Sequence, residues 1–341
     1  MKVWEIRDAF GFENLRLVER PEPDLGRGQV TVEVGACSFN YRDFLMTAGL
    51  YNPKQKLPLV PLSDGAGTVV AIGDEVRDLA VGDRVAGTFF RDWLGRPVPS
   101  RELLKRTRGG PIDGMLAERV CLEEREVVKI PGHLDFAEAS TLPCAALTAW
   151  SALVAQGGVG PHDTVVIQGT GGVALFALQF ATMAGARTII TSSSDERLER
   201  ARSLGATETI NYRTEPKWGK RVAELTGGEG ASHVVELGGG DTFEQSLRAI
   251  RPGGTIHMIG VLGGTRAPFD VLPVVMQNVR LQGVLVGPRQ DFERMNAAIE
   301  HHALRPTVDR VVPFEEAGAA LESFGNGGHF GKVCVKVREE D

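Results

Sequence analysis

The chain of 341 residues holds no run of about eighteen apolar residues, so no segment is expected to span a bilayer as a helix. Its start, MKVWEIRDAFGFENLRLVERPEP, carries charges every few residues where a secretory signal needs an uninterrupted apolar core, so the mature chain is expected to begin here. Cysteine is scarce. The four thiols, Cys37, Cys121, Cys144 and Cys334, lie far apart and form no Cys-x-x-Cys pair, which argues against a disulfide framework and fits a reducing cytoplasm. Basic charge is not in excess either. A formal net charge of −6 disfavours nucleic acid and anionic membranes as partners, because both reward a basic face. What is present is the balance of an ordinary globular protein, 42% hydrophobic and 24% charged, long enough for two domains and suited to a small-molecule partner.

Residues 1–125 read as short strands and turns, with QVTVEVGA, AGTVVAIG, GDRVAGTF and LAERVCL separated by Gly, Pro and charged residues. That predicts a β-rich, partly barrel-like domain. Within it, residues 91–114 combine charge and proline with little periodicity, and are expected to form a long surface loop. Residues 126–287 turn to alternating strands and helices, the pattern of a parallel sheet covered on both faces. Residues 288–341 start with one more helix and end in strand, helix and strand, and are expected to return to the first domain. The fold class is therefore α/β.

The most specific signal is VVIQGTGGVALFALQFA. Gly169, Gly171, Gly172 and Val173 lie between a strand and an apolar helix, with Ala174 as a further small residue. Glycine permits the tight turn and lets the backbone approach a pyrophosphate, which the free amides of the helix N-terminus then hold. A dinucleotide cofactor is expected. In an NAD-binding fold the second strand usually ends in an acid that binds the ribose hydroxyls and repels a 2′-phosphate. Here Ser192 stands at that point, and Ser193, Arg197 and Tyr212 bring hydroxyls and a cation to the same corner, which favours NADP(H). The run Ser193 to Glu196 also reads as a capping box that starts the next helix, with Arg197 as a solvated first-turn residue.

Three stretches, PLSDGAGTVVAIGDEVRDLAVGDRVAG, ASTLPCAALTAWSAL and VVIQGTGGVA, together resemble the medium-chain dehydrogenase/reductase superfamily over essentially the whole chain. FNYRDFLMTAGLY resembles its zinc-independent branch, which contains NADPH-dependent quinone oxidoreductases, enone reductases and zeta-crystallin. The resemblance implies a GroES-like catalytic domain followed by a Rossmann domain. In the zinc-dependent branch the first domain supplies Cys-x-x-Asp-x-His, then Gly-His-Glu, then a second cysteine. Here Cys37 remains, but Asn40 and Arg42 replace the Asp and the His, Ser63 and Asp64 replace the His and the Glu, and Cys144 stands at the second cysteine. Arginine cannot ligate zinc, and no histidine falls in either motif, so no metal is expected.

By the same resemblance, Asn40 and Tyr51 line the substrate pocket and are the candidate catalytic donors to a carbonyl oxygen. Tyr41 and Arg42 are nearby alternatives, and Asp43 and Asp64 are candidate ion-pair partners of Arg42. Thr148 matches the position that packs on the nicotinamide, while the backbone of Ile259 to Val261 and of Val284 to Val286 would bind the carboxamide. RLQGVLVG resembles the segment that relatives use to continue their sheets across a subunit interface, so a homodimer or homotetramer is expected. The implied activity is NADPH-dependent reduction of a small-molecule carbonyl such as a quinone or enone. A zinc alcohol dehydrogenase, or a crystallin-like NADPH-binding protein with little turnover, are the alternatives.

Overall fold

The computed structural model describes residues 1–95, 100–266 and 269–338. Its strands, in chain order, are β1 (Lys2–Ile6), β2 (Leu15–Glu19), β3 (Gln29–Ser38), β4 (Asp64–Ile72), β5 (Arg84–Gly87), β6 (Arg119–Glu123) and β7 (Val127–Lys129). They continue as β8 (Thr164–Gln168), β9 (Arg187–Ser192), β10 (Glu208–Asn211), β11 (Ala231–Glu236), β12 (Ile250–Met258), β13 (Arg280–Gly283), β14 (Val308–Pro313) and β15 (Lys332–Lys336). The chain divides into two compact units, Met1–Leu147 with Gly287–Asp341, and Thr148–Val286. The change of unit thus falls later than the expected residue 125. The reason is that β7 pairs antiparallel with β5, and Phe136–Ala139 packs on β3 and β4, which ties residues 126–147 to the first sheet.

In the first unit a seven-stranded sheet has the order β14-β15-β3-β4-β5-β7, with β6 also on β3, and β1 and β2 form a separate hairpin. The alternation of QVTVEV places Val30, Val32 and Val34 in a core with Met115, Leu116 and Phe39. β15 lies antiparallel to β3, with Cys334 opposite Ser38 and Val335 opposite Cys37, so the C-terminal segment completes the sheet beside the opening of β4. The stretch 91–114 is not the surface loop its composition predicts. Its residues 96–99 lie outside the described ones, but Trp93, Thr107 and Arg108 are buried, and Arg108 is neutralised by an ion pair with buried Glu126. Gly114 passes so close to the carbonyls of Pro61 and Leu62 that a Cβ would lie 2.1 Å from the nearer oxygen. Leu62 itself has φ +67°, a strained conformation for a branched side chain, held by Met115 N–H donating to its carbonyl at 2.9 Å. This clamp aims the next two residues, Ser63 and Asp64, inward.

The second unit is a parallel six-stranded sheet in the order β10-β9-β8-β11-β12-β13. Numbered from β8, that is the 3-2-1-4-5-6 order of a Rossmann fold, whose ligand crevice opens at the carboxyl ends of strands where the order reverses, here β8 and β11. Gly185, Gly205 and Gly227 close their helices with φ between +66° and +100°, the left-handed conformation a glycine past a helix end supplies. No helix among the described residues is long and apolar enough to cross a membrane.

Candidate active site

In the first unit three strand ends converge: the close of β3, the opening of β4 and the opening of β15. Asn40 follows β3 in extended conformation and starts the helix Tyr41–Thr47, its backbone N–H donating to Asp43 Oδ2 at 2.9 Å. Its side chain is the hub of a polar cluster. Nδ2 donates to Asp64 Oδ2 at 2.8 Å and, weakly, to Ser63 Oγ at 3.4 Å, while Oδ1 accepts from Lys332 Nζ at 2.7 Å. Lys332 also donates to the carbonyl of Phe39 at 2.6 Å and stands 3.6 Å from Asp64. Asp64 accepts further from Ser63 Oγ at 2.9 Å and is fully buried. Sequence reasoning missed Lys332; the only signal for it was a basic residue in a tail expected to return to this domain.

Arg42 and Tyr51 form the other half of the cluster. The Arg42 guanidinium lies between two rings, 5.0 Å from the centroid of Tyr51 and 5.0 Å from that of Phe89. It donates to the carbonyls of Arg108 and Gly110 at 2.7 and 2.9 Å and pairs with Asp43 at 3.4 Å. Of the two open partnerships, Arg42 therefore takes Asp43, and Asp64 takes Lys332. Burial pushes Asp43 up to about 6, with Arg42 pulling the other way, and it also raises Asp64 against the pull of Lys332. Tyr51 is half-exposed, and its hydroxyl makes no hydrogen bond among the described residues, whereas both polar ends of the Asn40 carboxamide are engaged. Tyr41 instead stacks on Phe44.

These residues do not fit a catalytic zinc. The Cys37 thiol donates to the carbonyl of Met115 at 3.0 Å, and burial reinforced by the Asp64 charge raises the pKa of both it and Cys144. Lys332 and Arg42 already balance the two carboxylates, and among the described residues no three His, Cys, Asp or Glu side chains gather as a metal site. Four buried charges that cancel in pairs leave no net negative site for a dication.

In the second unit the turn after β8 has the shape a pyrophosphate needs. Gly169 has φ +77° with open space where a Cβ would stand, and Gly171 caps the helix Gly172–Met183 without a side-chain bond, leaving Val173 in its first turn. The helix after β9 is capped by Ser194, which accepts from Arg197 N–H at 3.3 Å, rather than by Ser193. Ser193 Oγ is thereby free to accept from the Arg197 guanidinium at 3.0 Å, and the backbone of Tyr212 donates to the carbonyl of Ser192 at 3.1 Å. Ser192, Ser193, Arg197 and Tyr212 thus share one corner. Arg197 Nε has no hydrogen-bond partner, and no carboxylate among the described residues pairs with this guanidinium. Thr148 is buried at the opening of this unit. Ile259 N–H donates to the carbonyl of Glu236 at 3.0 Å and Val284 N–H to that of Met258 at 3.0 Å, Val261 is exposed, and Val286 holds φ +52°, strained for a β-branched residue.

Beneath the same crevice lies a network that carried no signal in the sequence. Glu236, fully buried at the end of β11, accepts from the amides of Gly238 at 3.0 Å and Gly239 at 2.9 Å, from the hydroxyls of Thr242 and Ser246, and from Gln168 Nε2 at 2.7 Å. Gln168 Oε1 in turn accepts from the amides of Leu237 and Gly238 at 3.1 and 3.0 Å.

Comparison with known proteins agrees with this architecture. Residues 26–132 match the family model of the alcohol dehydrogenase GroES-like domain, and residues 172–301 match that of the zinc-binding dehydrogenases. The chain is 40% identical over 334 residues to a zinc-type alcohol dehydrogenase-like protein of Schizosaccharomyces pombe, covering 96% of each. Among solved structures it is similar to an NAD-dependent alcohol dehydrogenase, with TM-score 0.91 and 33% identity over 99% of this chain and 100% of that one. It is also similar to the quinone oxidoreductase from Coxiella burnetii, with TM-score 0.81 and 28% identity over 99% of both chains. A GroES-like first unit, a Rossmann second unit and relatives matched along nearly their whole length lead to one conclusion: the chain belongs to the medium-chain dehydrogenase/reductase superfamily, oxidoreductases that bind a nicotinamide dinucleotide.

Proposed function

We propose that this oxidoreductase reduces quinones, enones or other activated carbonyls with NADPH and without a catalytic metal. The observation that carries the reading is the cluster around Asn40, where an amide, a guanidinium and a hydroxyl stand at the motif positions of the zinc-dependent branch and the Lys332 ammonium joins them from β15. Bound at the Gly169 turn, a reduced dinucleotide would supply the hydride. The chain's own part is to position the acceptor, keep its pocket dry and aim donors at the oxygen that gains charge. Tyr51 is the donor with an uncommitted hydroxyl, and Asn40 supports it as a polar wall. A proton from solvent completes the reduced product.

The preference for NADPH rests on Ser192 in place of an acid and on the Arg197 guanidinium, which donates to Ser193 and pairs with no carboxylate among the described residues. An Arg197→Ala variant is expected to lose about tenfold or more in affinity for NADPH, the loss of roughly one charge-assisted bond, with NADH affinity unchanged. Isothermal titration with both cofactors checks it, and an unchanged ratio removes the assignment. The zinc alcohol dehydrogenase reading has its own support in the name of the fission yeast relative. Stoichiometric zinc in the purified protein, with activity lost to a chelator, would establish it. Tight NADPH binding without oxidation by 1,4-benzoquinone, 2-cyclohexenone or simple aldehydes would favour the crystallin-like alternative.

We further propose a homodimer built on the edge of the second unit. β13 has β12 as its one strand partner among the described residues, and Leu272, Val275, Met276, Leu281 and Leu285 stand exposed beside it. An apolar edge of this kind calls for a covering surface. Sedimentation velocity should show a dimer or tetramer that a Met276→Lys/Leu281→Asp variant converts to monomer. A wild-type monomer at micromolar concentration would reject the proposal.

A further inference from the structure

We propose that Lys332 is an internal counter-cation that takes over the charge-balancing role of a metal in this site and, by holding Asp64 and Asn40 in register, acts as a positioning residue for the reduction. The inference rests on the metal-free reading above. It begins with the burial of the ammonium: Lys332 is 2% exposed, a position lysine takes only when paired. It donates to the carbonyl of Phe39 at 2.6 Å and to Oδ1 of Asn40 at 2.7 Å, and the carboxylate of Asp64 stands 3.6 Å away as its counter-charge. Asp64 has no exposure to water, and without the ammonium the hydrogen bonds left to its charge come from the neutral donors of Asn40, Ser63 and, at 3.4 Å, Ser38.

The pair also decides which way the Asn40 carboxamide faces. With its oxygen on the ammonium and its nitrogen on the carboxylate, both contacts are attractive. A 180° flip would set NH2 against the ammonium and oxygen against the carboxylate, making both repulsive. Removing either charge leaves that orientation held by one charge–dipole contact instead of two. The charges of Lys332 and Arg42 pair with those of Asp64 and Asp43, so these four charges balance without a dication. Lys332 lies 292 residues from Asn40 in the chain, and β15 beside β3 is what brings them together.

The test is a double-mutant cycle on the full-length protein with Lys332→Met, Asp64→Asn and the pair combined. Stripping one partner from a buried pair is strongly destabilising, so Lys332→Met is expected to lower the melting temperature by on the order of 10 °C, and the double variant should recover most of that loss. If Lys332→Met fails to fold, a folded double variant supports the proposal and an unfolded one overturns it. Melting losses that add independently also overturn it. With NADPH and 1,4-benzoquinone, Lys332→Met should lower kcat at least tenfold while KM for NADPH stays within twofold; unchanged kcat rejects the positioning role. Zinc analysis of the wild type separates the two levels of the argument. Stoichiometric zinc would defeat the metal-free reading, whereas a zinc-free wild type without coupling between Lys332 and Asp64 would defeat this inference alone.

Discussion

Replacing Glu236 by alanine is expected to cost the protein about 3 kcal/mol of stability, or roughly 6–12 °C in melting temperature. The carboxylate collects five donors at the carboxyl end of β11, two of them backbone amides of the glycine run 238–239. Without it, Gln168 Nε2 keeps Ser246 as a partner, and the Thr242 hydroxyl can turn to Gln168 Oε1 or the carbonyl of Gly239. The amide of Gly239 has no such choice. Each buried donor left unpaired costs about 1–3 kcal/mol, offset in part because a buried carboxylate no longer has to be desolvated. Glu236→Gln should be milder but not silent, since one amide oxygen then faces donors that two oxygens served. Thermal unfolding of both variants beside the wild type checks this. Because residues 237–240 follow β11 at the reversal of strand order, weaker dinucleotide binding should accompany the loss. A Glu236→Ala variant with wild-type melting would show that water replaces the carboxylate.

Removing one hydroxyl, in Tyr51→Phe, is expected to lower kcat for the reduction of 1,4-benzoquinone by roughly 10²-fold, the usual effect of losing one donor aimed at a developing oxyanion. Stability should not move. The ring stays stacked against the Arg42 guanidinium, a contact that needs the π face and not the oxygen, and the hydroxyl has no partner among the described residues to leave unsatisfied. Steady-state kinetics with a melting curve in parallel separate the two effects. Full activity in the phenylalanine variant would remove Tyr51 from the chemistry and leave proton delivery to solvent.

The two units differ in how much of each could be read in advance. In the second, the strand and helix periods, the glycines past helix ends and the Gly169 turn are all local signals, so element order and the glycine turn after β8 followed from short stretches of sequence. β13 takes up only the first half of RLQGVLVG, the segment that resembles the sheet-continuing one of relatives, and ends at Gly283. In the first unit composition misled at 91–114. Charge there suggested solvent exposure, yet Arg108 is buried because Glu126, 18 residues away, pairs with it. The helix cap at Ser194 shows the same limit at small scale, since a one-residue shift in the cap is what frees Ser193 for Arg197.

By itself the sequence determined that Asn40, Arg42, Ser63 and Asp64 stand at the motif positions of the zinc-dependent branch, and residue chemistry alone says that such a set is poor for zinc. Only the tertiary structure decided which cation balances Asp64. Asp64 could have been taken by Arg42, which lies closer in sequence. It is instead matched by Lys332, because parallel and antiparallel pairing set β15 beside β3 and bring a cation from the far end of the chain to the carboxylate of the cluster that Arg42, clamped between two rings and two carbonyls, does not pair with. Long-range strand pairing carries no local signature in sequence, which is why the cation stayed hidden until the sheet was seen.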